Sequence, residues 1–120
     1  MEKDVKMEAT AKGRFQRISV RKARMIVDLI RGRNAAEALE MLRFTRKAAA
    51  PVIFKILDSA ISNAKQKDAN VDLDALRVTV AQADKAPDRF MRRWRPRAQG
   101  RATRVTKGVS HITLVVSDQV

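Results

Sequence analysis

Residues Arg89–Lys107 read R-F-M-R-R-W-R-P-R-A-Q-G-R-A-T-R-V-T-K, and this stretch decides how the rest of the chain must be arranged. It contains eight Lys and Arg residues, no acidic residue and the only Trp of the chain. Side chains of one sign repel one another, so the stretch cannot be packed into a hydrophobic core. Such a density of positive charge is typical of segments that contact a polyanion, above all nucleic acid.

The segments on either side of this basic stretch have the alternating pattern of β-strands. Apolar and polar residues alternate over 76–81 before it and over 112–117 after it. If these strands pair antiparallel, the chain between them forms a hairpin arm that folds back near Trp94–Pro96. At about 3.3 Å per residue, Lys85–Trp94 allows the arm to project by roughly 30 Å. Two isolated strands are marginally stable in water, so we expect a negatively charged partner to order this arm.

The N-terminal part of the chain predicts a short strand followed by a helix. Small and apolar residues alternate with charged ones within residues 1–18, which is the period of a β-strand. Apolar residues then recur at helical spacing over Val20–Arg31. Ser19 is placed as the N-cap of this helix, and Gly32 stands just past its end, where a left-handed backbone is favoured.

Two further helices are predicted before the first strand of the arm. Asn34 and Glu37 stand at the spacing of a capping box and indicate the start of a short helix. Thr45 is the predicted cap of a third helix that ends near Lys67, and Pro51 favours a late or bent start for it. The complete order is β-α-α-α-β-arm-β. It predicts an α+β fold of three helices packed on a small antiparallel sheet with a long protruding β-hairpin.

Length and charge distribution indicate a single nucleic-acid-binding domain. The chain has 120 residues and a formal net charge of +13, while its hydrophobic content of 45% is sufficient for a core. Residues 32–77 are nearly neutral, with eight basic and six acidic residues, and the excess of positive charge lies in both flanks. We expect the globular core at about 9–84 and 108–118, and the arm at about 85–107.

Several classes of protein are excluded by what the sequence lacks. The chain has no Cys and one His, and its four glycines are isolated, so it has no thiolate metal site and no Gly-rich phosphate loop. No group of residues has a spacing that favours nucleophilic, acid–base or metal catalysis. The N-terminus lacks the apolar stretch of a signal peptide, and no run approaches a membrane span. We therefore predict a cytoplasmic protein that is not an enzyme and needs no cofactor.

The candidate RNA-contacting residues form two acid-free clusters, one around the first predicted helix and one in the arm. Arg outnumbers Lys seven to one in the arm, which favours bidentate phosphate contacts and stacking on bases. Phe90 and Trp94 either stack on bases or join the two strands of the arm. His111 is either structural or RNA-facing. The predicted RNA-contacting residues are Lys12, Arg14, Arg17, Arg21, Lys22, Arg24, Arg89, Arg92, Arg93, Arg95, Arg97, Arg101, Arg104 and Lys107.

Four segments occur in a fixed order over about Ala9–Asp118. They read S-V-R-K-A-R-M-I-V-D-L-I-R-G, L-D-S-A-I-S-N-A, R-P-R-A-Q-G-R-A-T-R and S-H-I-T-L-V-V-S-D. Together they resemble the large-subunit ribosomal protein family L22, bacterial type. The resemblance implies three helices on a small sheet with a long β-hairpin, and binding to several domains of large-subunit rRNA with a role in assembly. It also implies that the hairpin tip lines the nascent-peptide exit tunnel, near a constriction shared with another ribosomal protein.

The resemblance also implies roles for individual positions. The tunnel-facing tip would be Met91, Arg92, Arg93 and Trp94. The rRNA-contacting return strand would hold Arg95, Arg97, Arg101 and Arg104, and positions beside and on the first helix would be Arg14, Arg17, Lys22 and Arg24. The chain departs from the family pattern at Gly108, where members commonly have a basic residue and Thr, and at Trp94, which is bulkier than the expected aliphatic residue. Implied partners are rRNA, neighbouring ribosomal proteins and the nascent peptide, with no membrane and no homo-oligomer.

Three other hypotheses are compatible with the basic stretch. A DNA-architectural protein could place basic arms in the minor groove, with Pro96 as a wedge. A membrane-surface or acidic-partner module could use the polybasic run alone. The stretch could also be a disordered loop without a specific partner, although the strands that frame it argue against this.

Overall fold

The computed structural model describes residues 8–86, 92–96, 102–106 and 108–118. It confirms the predicted α+β class and the predicted order of elements. The elements are β1 (Glu8–Gln16), α1 (Val20–Ile30), α2 (Ala35–Phe44), α3 (Ala49–Lys67), a short 3-10 helix (Leu73–Ala75), β2 (Arg77–Lys85), β3 (Arg92–Pro96), β4 (Ala102–Thr106) and β5 (Ser110–Ser117). Strands β1, β5 and β2 form an antiparallel sheet in that order, and the helices pack on it around one hydrophobic core.

The first two helices begin where the sequence predicts. The Ser19 hydroxyl accepts a hydrogen bond from the Lys22 N–H at 3.4 Å, and Gly32 has the left-handed φ of 80° that its position requires. Asn34 Oδ1 accepts from the N–H groups of the first turn of α2, and the nearer of these, from Ala36, lies at 2.9 Å. The Glu37 carboxylate accepts from Arg33 Nη1 at 3.0 Å. Side chains thus satisfy N–H groups that would otherwise lack partners.

The predicted cap of the third helix is wrong, although its late start is confirmed. Thr45 is instead the C-cap that follows α2, and its hydroxyl donates to the Met41 carbonyl at 2.5 Å, a bond typical of Thr at a helix end. Helix α3 begins at Ala49, preceded by Ala48, which makes no side-chain cap bond. Pro51 therefore lies in the first turn, where its missing N–H costs no intrahelical hydrogen bond.

A β-bulge changes which residues of β2 face the core. The register with β5 shifts between Val78 and Val80. Val78 is fully buried, but beyond the bulge Ala81 and Ala83 are buried while Val80 is only half-buried. The predicted simple alternation therefore fails after Val78, because one extra residue inverts the inward and outward positions. Small residues face inward where α1 packs on this strand.

The outer edges of the sheet are covered by side chains from the helices. On β2, Arg24 Nε donates to the Ala83 carbonyl at 3.0 Å, and Arg31 Nη2 donates to the Ala81 carbonyl at 2.6 Å. On β1, Asn63 Nδ2 donates to a strand carbonyl at 2.9 Å. Unpaired edge carbonyls invite association with other strands, so these bonds protect the core from edge-to-edge pairing.

Strands β3 and β4 form a separate two-stranded sheet and confirm the protruding hairpin. Arg92 faces Thr106 and Pro96 faces Ala102, so the chain reverses between Pro96 and Ala102. The predicted reversal near Trp94–Pro96 is therefore too early, because proline is tolerated at the end of an edge strand and need not mark the turn. The radius of gyration is 18.0 Å, against roughly 14 Å for a compact chain of this length. The long axis of 74 Å fits a domain with an extended arm.

Candidate nucleic-acid interface

A groove lies between the N-terminus of α1 and the start of α3. It has a volume of about 870 Å³, and the described residues that line it include the four cations Arg17, Lys22, Arg46 and Lys47 and no acidic residue. The side chains of all four are exposed. Cavities of this size hold ligands much larger than a single small ion. The groove is therefore suited to an extended anionic ligand such as a stretch of nucleic-acid backbone.

The first wall of the groove is held rigidly by the segment that joins β1 to α1. The Ile18 N–H donates to the Gln16 carbonyl at 2.8 Å, which forms a tight turn. The Ile18 carbonyl accepts from the hydroxyl of Ser110, a fully buried residue, at 2.6 Å. Arg17 lies within this turn and Lys22 in the first turn of α1. Both cations are thus presented from a backbone that is already ordered.

The second wall is the connection between α2 and α3. Arg46 and Lys47 lie in this connection, directly before the first turn of α3. Ala48 provides no side-chain cap, and the first turns of both α1 and α3 contain no acidic residue. The positive ends of two helix dipoles therefore face the groove without a neutralising carboxylate from their own first turns.

The returning strand of the hairpin meets the start of α1 at Gly108. A Cβ atom at this position would lie 2.7 Å from the Ser19 Cα and 2.9 Å from the Ser19 Cβ, so any larger residue would force the two segments apart. Gly108 also lines the groove. Glycine at this position therefore permits close packing, and Gly108 contributes backbone but no charge.

An exposed aromatic residue lies just before the first wall. Phe15 occupies an irregular part of β1, between Gly13 and Gln16, and has a φ of 56°. This left-handed conformation is costly for a bulky residue, by about 1 to 3 kcal/mol. The Phe15 N–H donates to His111 Nδ1 at 3.1 Å, and the two rings meet edge to face with centroids 4.7 Å apart. His111 thus has a structural role, with its Nδ1 as the acceptor of this bond.

The structure places the predicted RNA-contacting residues in three groups. Of the six around α1, only Arg17 and Lys22 line the groove, and Arg24 uses its Nε on the edge of β2. The second group lies in the paired strands of the arm and comprises Arg92, Arg93, Arg95 and Arg104. The third group falls outside the described residues and comprises Arg89, Arg97, Arg101 and Lys107. The assignment of all of these residues to RNA stays a prediction.

The predicted tunnel-facing tip and the aromatic residues of the arm lie only partly within the described residues. Arg92, Arg93 and Trp94 lie within β3, before the chain reversal. Met91 and Phe90 fall outside the described residues. A tunnel-facing role for Met91–Trp94 therefore stays a prediction, as do both alternatives for Phe90 and Trp94.

Three residues in or beside the groove are not among the residues predicted from the sequence. Arg46 and Lys47 form a dipeptide between two helices, and Phe15 stands between Arg14 and Arg17 in the order R-F-Q-R. An aromatic residue among arginines is itself a signal of nucleic-acid binding. The pair at 46–47 carries no comparable signal, because only the packing of α3 against α1 brings it opposite Arg17.

Two further kinds of site were sought in the part of the chain that the structure describes. None of the helices there is long and apolar enough to cross a bilayer. The same residues contain no group of three or more His, Cys, Asp or Glu side chains that could hold a metal ion.

A family model and a known relative both match this chain over most of its length. Residues 11–117 match the model of the family described as "Ribosomal protein L22p/L17e". The protein named "Large ribosomal subunit protein uL22" of Sorangium cellulosum (strain So ce56) is 56% identical over 113 residues, which cover 94% of this chain and 99% of that relative. The matched range includes both walls of the groove and the entire arm.

Proposed function

The chain belongs to the ribosomal protein L22p/L17e family, and from this premise we propose that it binds large-subunit rRNA through the groove and the arm. Family membership makes it a structural, non-enzymatic component of the large ribosomal subunit. Its partners are accordingly rRNA and other proteins of that subunit. The finer proposal concerns which surfaces contact the rRNA and what the hairpin does.

The observation that carries this proposal is the acid-free groove between α1 and α3. Four cations from two separate segments converge there, at the positive ends of two helices. Phosphates that approach one another during subunit assembly repel, and cations placed between them reduce this repulsion. Binding also releases counterions from the rRNA, which favours association at low salt. Assembly would thus be supported by charge neutralisation on a surface that the protein orders in advance.

The arm adds a second contact surface of a different kind. Its strands β3 and β4 lie outside the three-stranded sheet, and an isolated two-stranded hairpin is marginally stable in water. Its arginines are suited to bidentate phosphate contacts. We propose that rRNA packs around the arm and that the end of the hairpin lines the exit tunnel, where it would face the nascent peptide. The predicted tip, Met91–Trp94, would then approach the tunnel from β3.

The DNA-architectural and membrane-surface hypotheses have no comparable support. The first rested on basic β-arms with Pro96 as a wedge and the second on the polybasic run, and membership of a ribosomal protein family accounts for the charge of the arm. The DNA-architectural hypothesis predicts higher affinity for duplex DNA than for structured RNA at matched salt. The membrane-surface hypothesis predicts binding to anionic vesicles that competitor RNA does not remove.

The proposal is tested by measuring binding to protein-free large-subunit rRNA as a function of salt. If about ten phosphates are contacted, the slope of log affinity against log salt should be roughly −7 to −9. A slope shallower than about −2 would contradict rRNA binding through phosphates. The protein should also co-sediment with large subunits after a high-salt wash, and its appearance in the soluble fraction would contradict its place in the subunit.

Matched charge variants test the groove separately from net charge. The double variant Arg46→Gln and Lys47→Gln should make the slope shallower by about 1.4 to 1.8, because two phosphate contacts are lost. The control is Lys55→Gln with Lys65→Gln, which removes the same charge from exposed positions of α3 that do not line the groove. Equal effects of the two pairs would mean that the groove has no special role.

A further inference from the structure

We propose that Phe15 is a stacking platform for an unpaired base of the rRNA, and that His111 holds it in position. This inference rests on the proposed rRNA binding and adds a specific contact to it. The groove recognises backbone phosphates, whereas the Phe15 ring would recognise the flat face of a base. The platform lies directly before the first wall of the groove, two residues from Arg17.

The stability of the isolated chain does not explain why this position is occupied by a phenylalanine. The residue is 61% exposed, so its ring contributes little to the hydrophobic core. Its φ of 56° is a conformation that glycine or asparagine adopts far more readily than a bulky aromatic residue. An exposed ring on an unfavourable backbone is accounted for if a ligand covers the ring.

The surrounding contacts fix the ring while most of its surface stays exposed. His111 binds the Phe15 backbone through Nδ1 and meets the ring at an interplanar angle of 86°. His111 belongs to β5, the central strand of the sheet, and Gln16 next to Phe15 is paired with Ser110 of the same strand. A ring held in this way loses little conformational freedom when a ligand binds, which favours affinity.

The charges around Phe15 favour a nucleotide over an apolar protein segment. Arg14 and Arg17 are exposed on either side of it, and residues 9–27 contain no acidic residue. The acidic residue nearest in the sheet is Asp84, which faces His111 across the β2–β5 pairing. A base on the ring would allow its own phosphates to reach Arg14 or Arg17, as in proteins that combine aromatic stacking with a cationic groove.

Salt titration with protein-free large-subunit rRNA separates stacking from charge. Phe15→Leu should lower the affinity about 5- to 150-fold at every salt concentration, the range found when an aromatic stacking partner is removed, while the slope is unchanged. Phe15→Tyr keeps the ring and should bind like the original protein. Arg14→Gln, in contrast, should make the slope shallower by about 0.7 to 0.9.

The outcomes distinguish this inference from the proposed function. If Phe15→Leu binds like the original protein, the platform is wrong while rRNA binding stands. If the original protein itself shows no salt-dependent binding, the proposed function fails first. Thermal unfolding of each variant checks folding, and the exposed position of Phe15 predicts little change for leucine.

A fluorescence measurement identifies what covers the ring. Phe15→Trp in a Trp94→Phe background leaves one indole, because Trp94 is the only tryptophan of the chain. Stacking of a base should quench its emission when protein-free large-subunit rRNA is added. If rRNA alone leaves the emission unchanged and a blue shift appears only in the complete subunit, a neighbouring protein covers the ring and the inference is overturned.

Discussion

Two β-ladders of this molecule are built from consecutive parts of the same two chain segments, yet they differ in what can stabilise them. Strands β2 and β5 pair within a three-stranded sheet in which alternate residues of β5 are buried under helices. Strands β3 and β4 form a sheet of two strands. The first ladder is stabilised by burial of apolar area. The second lacks a third strand, and we propose that rRNA is the partner that stabilises it.

The charges of the two regions follow the same division. Residues 32–77, which contribute two helices to the core, have eight basic and six acidic residues, whereas Arg89–Lys107 has eight basic residues and none that are acidic. A mixed surface can be solvated without a partner. A surface of one sign raises the free energy of the isolated protein and is relieved by phosphates. The core therefore provides the stability, and we propose that the acid-free arm provides much of the affinity for RNA.

Between the two ladders the pairing changes register. Lys85 pairs with Ser110 in the core, and Arg92 pairs with Thr106 in the arm. From the first pair to the second, the segment after β2 therefore advances by seven residues, whereas the segment before β5 covers only four. Gly108 lies in this joint and packs against Ser19 at the start of α1. The joint therefore ties the base of the arm to the groove.

Removal of the arm should have the largest effect. It tests most directly whether the core provides stability and the arm provides affinity for RNA. Ala86 donates its N–H to the Val109 carbonyl at 2.9 Å, so a four-residue Gly-Ser linker can replace residues 87–107. The free energy of unfolding should change by no more than about 1.5 kcal/mol, the entropy of shortening the loop. Affinity for large-subunit rRNA should fall roughly a thousandfold at physiological salt, because up to eight cations are lost.

The control for this deletion is a full-length variant in which the same cations are replaced by Gln. Similar losses of affinity would assign the effect to charge, whereas a much smaller loss would assign it to the shape of the arm. Unfolding of the core on deletion would refute the division itself. Urea denaturation and filter binding provide the two measurements.

Leu114→Ala should have the opposite signature, with a large loss of stability and little direct effect on RNA contacts. Leu114 is fully buried on the central strand β5, and a cavity there should lower the free energy of unfolding by about 2 to 5 kcal/mol. The salt slope of the fraction that stays folded should equal that of the original protein. Thr113→Ala, a half-buried position on the same strand, is the matched control and should cost less.

Gly108→Ala tests the joint and should show an intermediate effect on both properties. The added methyl group would overlap Ser19, and relief of the overlap should cost about 1 to 3 kcal/mol of stability. Because the groove is lined by both residues, rRNA affinity should also fall. Gly32→Asn is a useful comparison, since asparagine tolerates a left-handed backbone and open space surrounds that position. A variant at Gly108 without any loss of stability would show that the two segments can separate freely.

The smallest effect is expected for Asn34→Ala, which removes the cap of α2. The free energy of unfolding should fall by about 1 kcal/mol, because the Asn34 side chain also donates to the Asp74 carbonyl and links α2 to the 3-10 helix. The salt slope should be unaffected, since Asn34 does not line the groove. A shallower slope would mean that α2 helps to position the cationic connection at Arg46.

The fold could be predicted from the sequence because the signals that indicate it are local. The spacing of apolar residues and the caps at Ser19 and Asn34 act within one or two turns of helix, so they can be read without knowledge of the tertiary structure. The errors arose where longer-range packing decides. Thr45 bonds back to α2, the bulge beyond Val78 inverts β2, and the arm reverses after Pro96. Each of these depends on how a neighbouring segment pairs.

The candidate site was predicted only in part for the same reason. Arg17 and Lys22 belong to an acid-free cluster that is visible in the sequence, but Arg46 and Lys47 become their neighbours only because α3 packs against α1. His111 lies 96 positions from Phe15, the residue it holds. No spacing rule connects positions so far apart.

By itself, therefore, the sequence determined the class of fold, the order of elements and the electrostatic character of the ligand, because periodicity, capping and net charge are properties of neighbouring residues or of composition. Only the tertiary structure decided how β3 and β4 pair, which cations line the groove between α1 and α3, and that Phe15 is left exposed beside that groove. Those arrangements depend on the burial of the core, whose free energy is gained when distant segments are brought together.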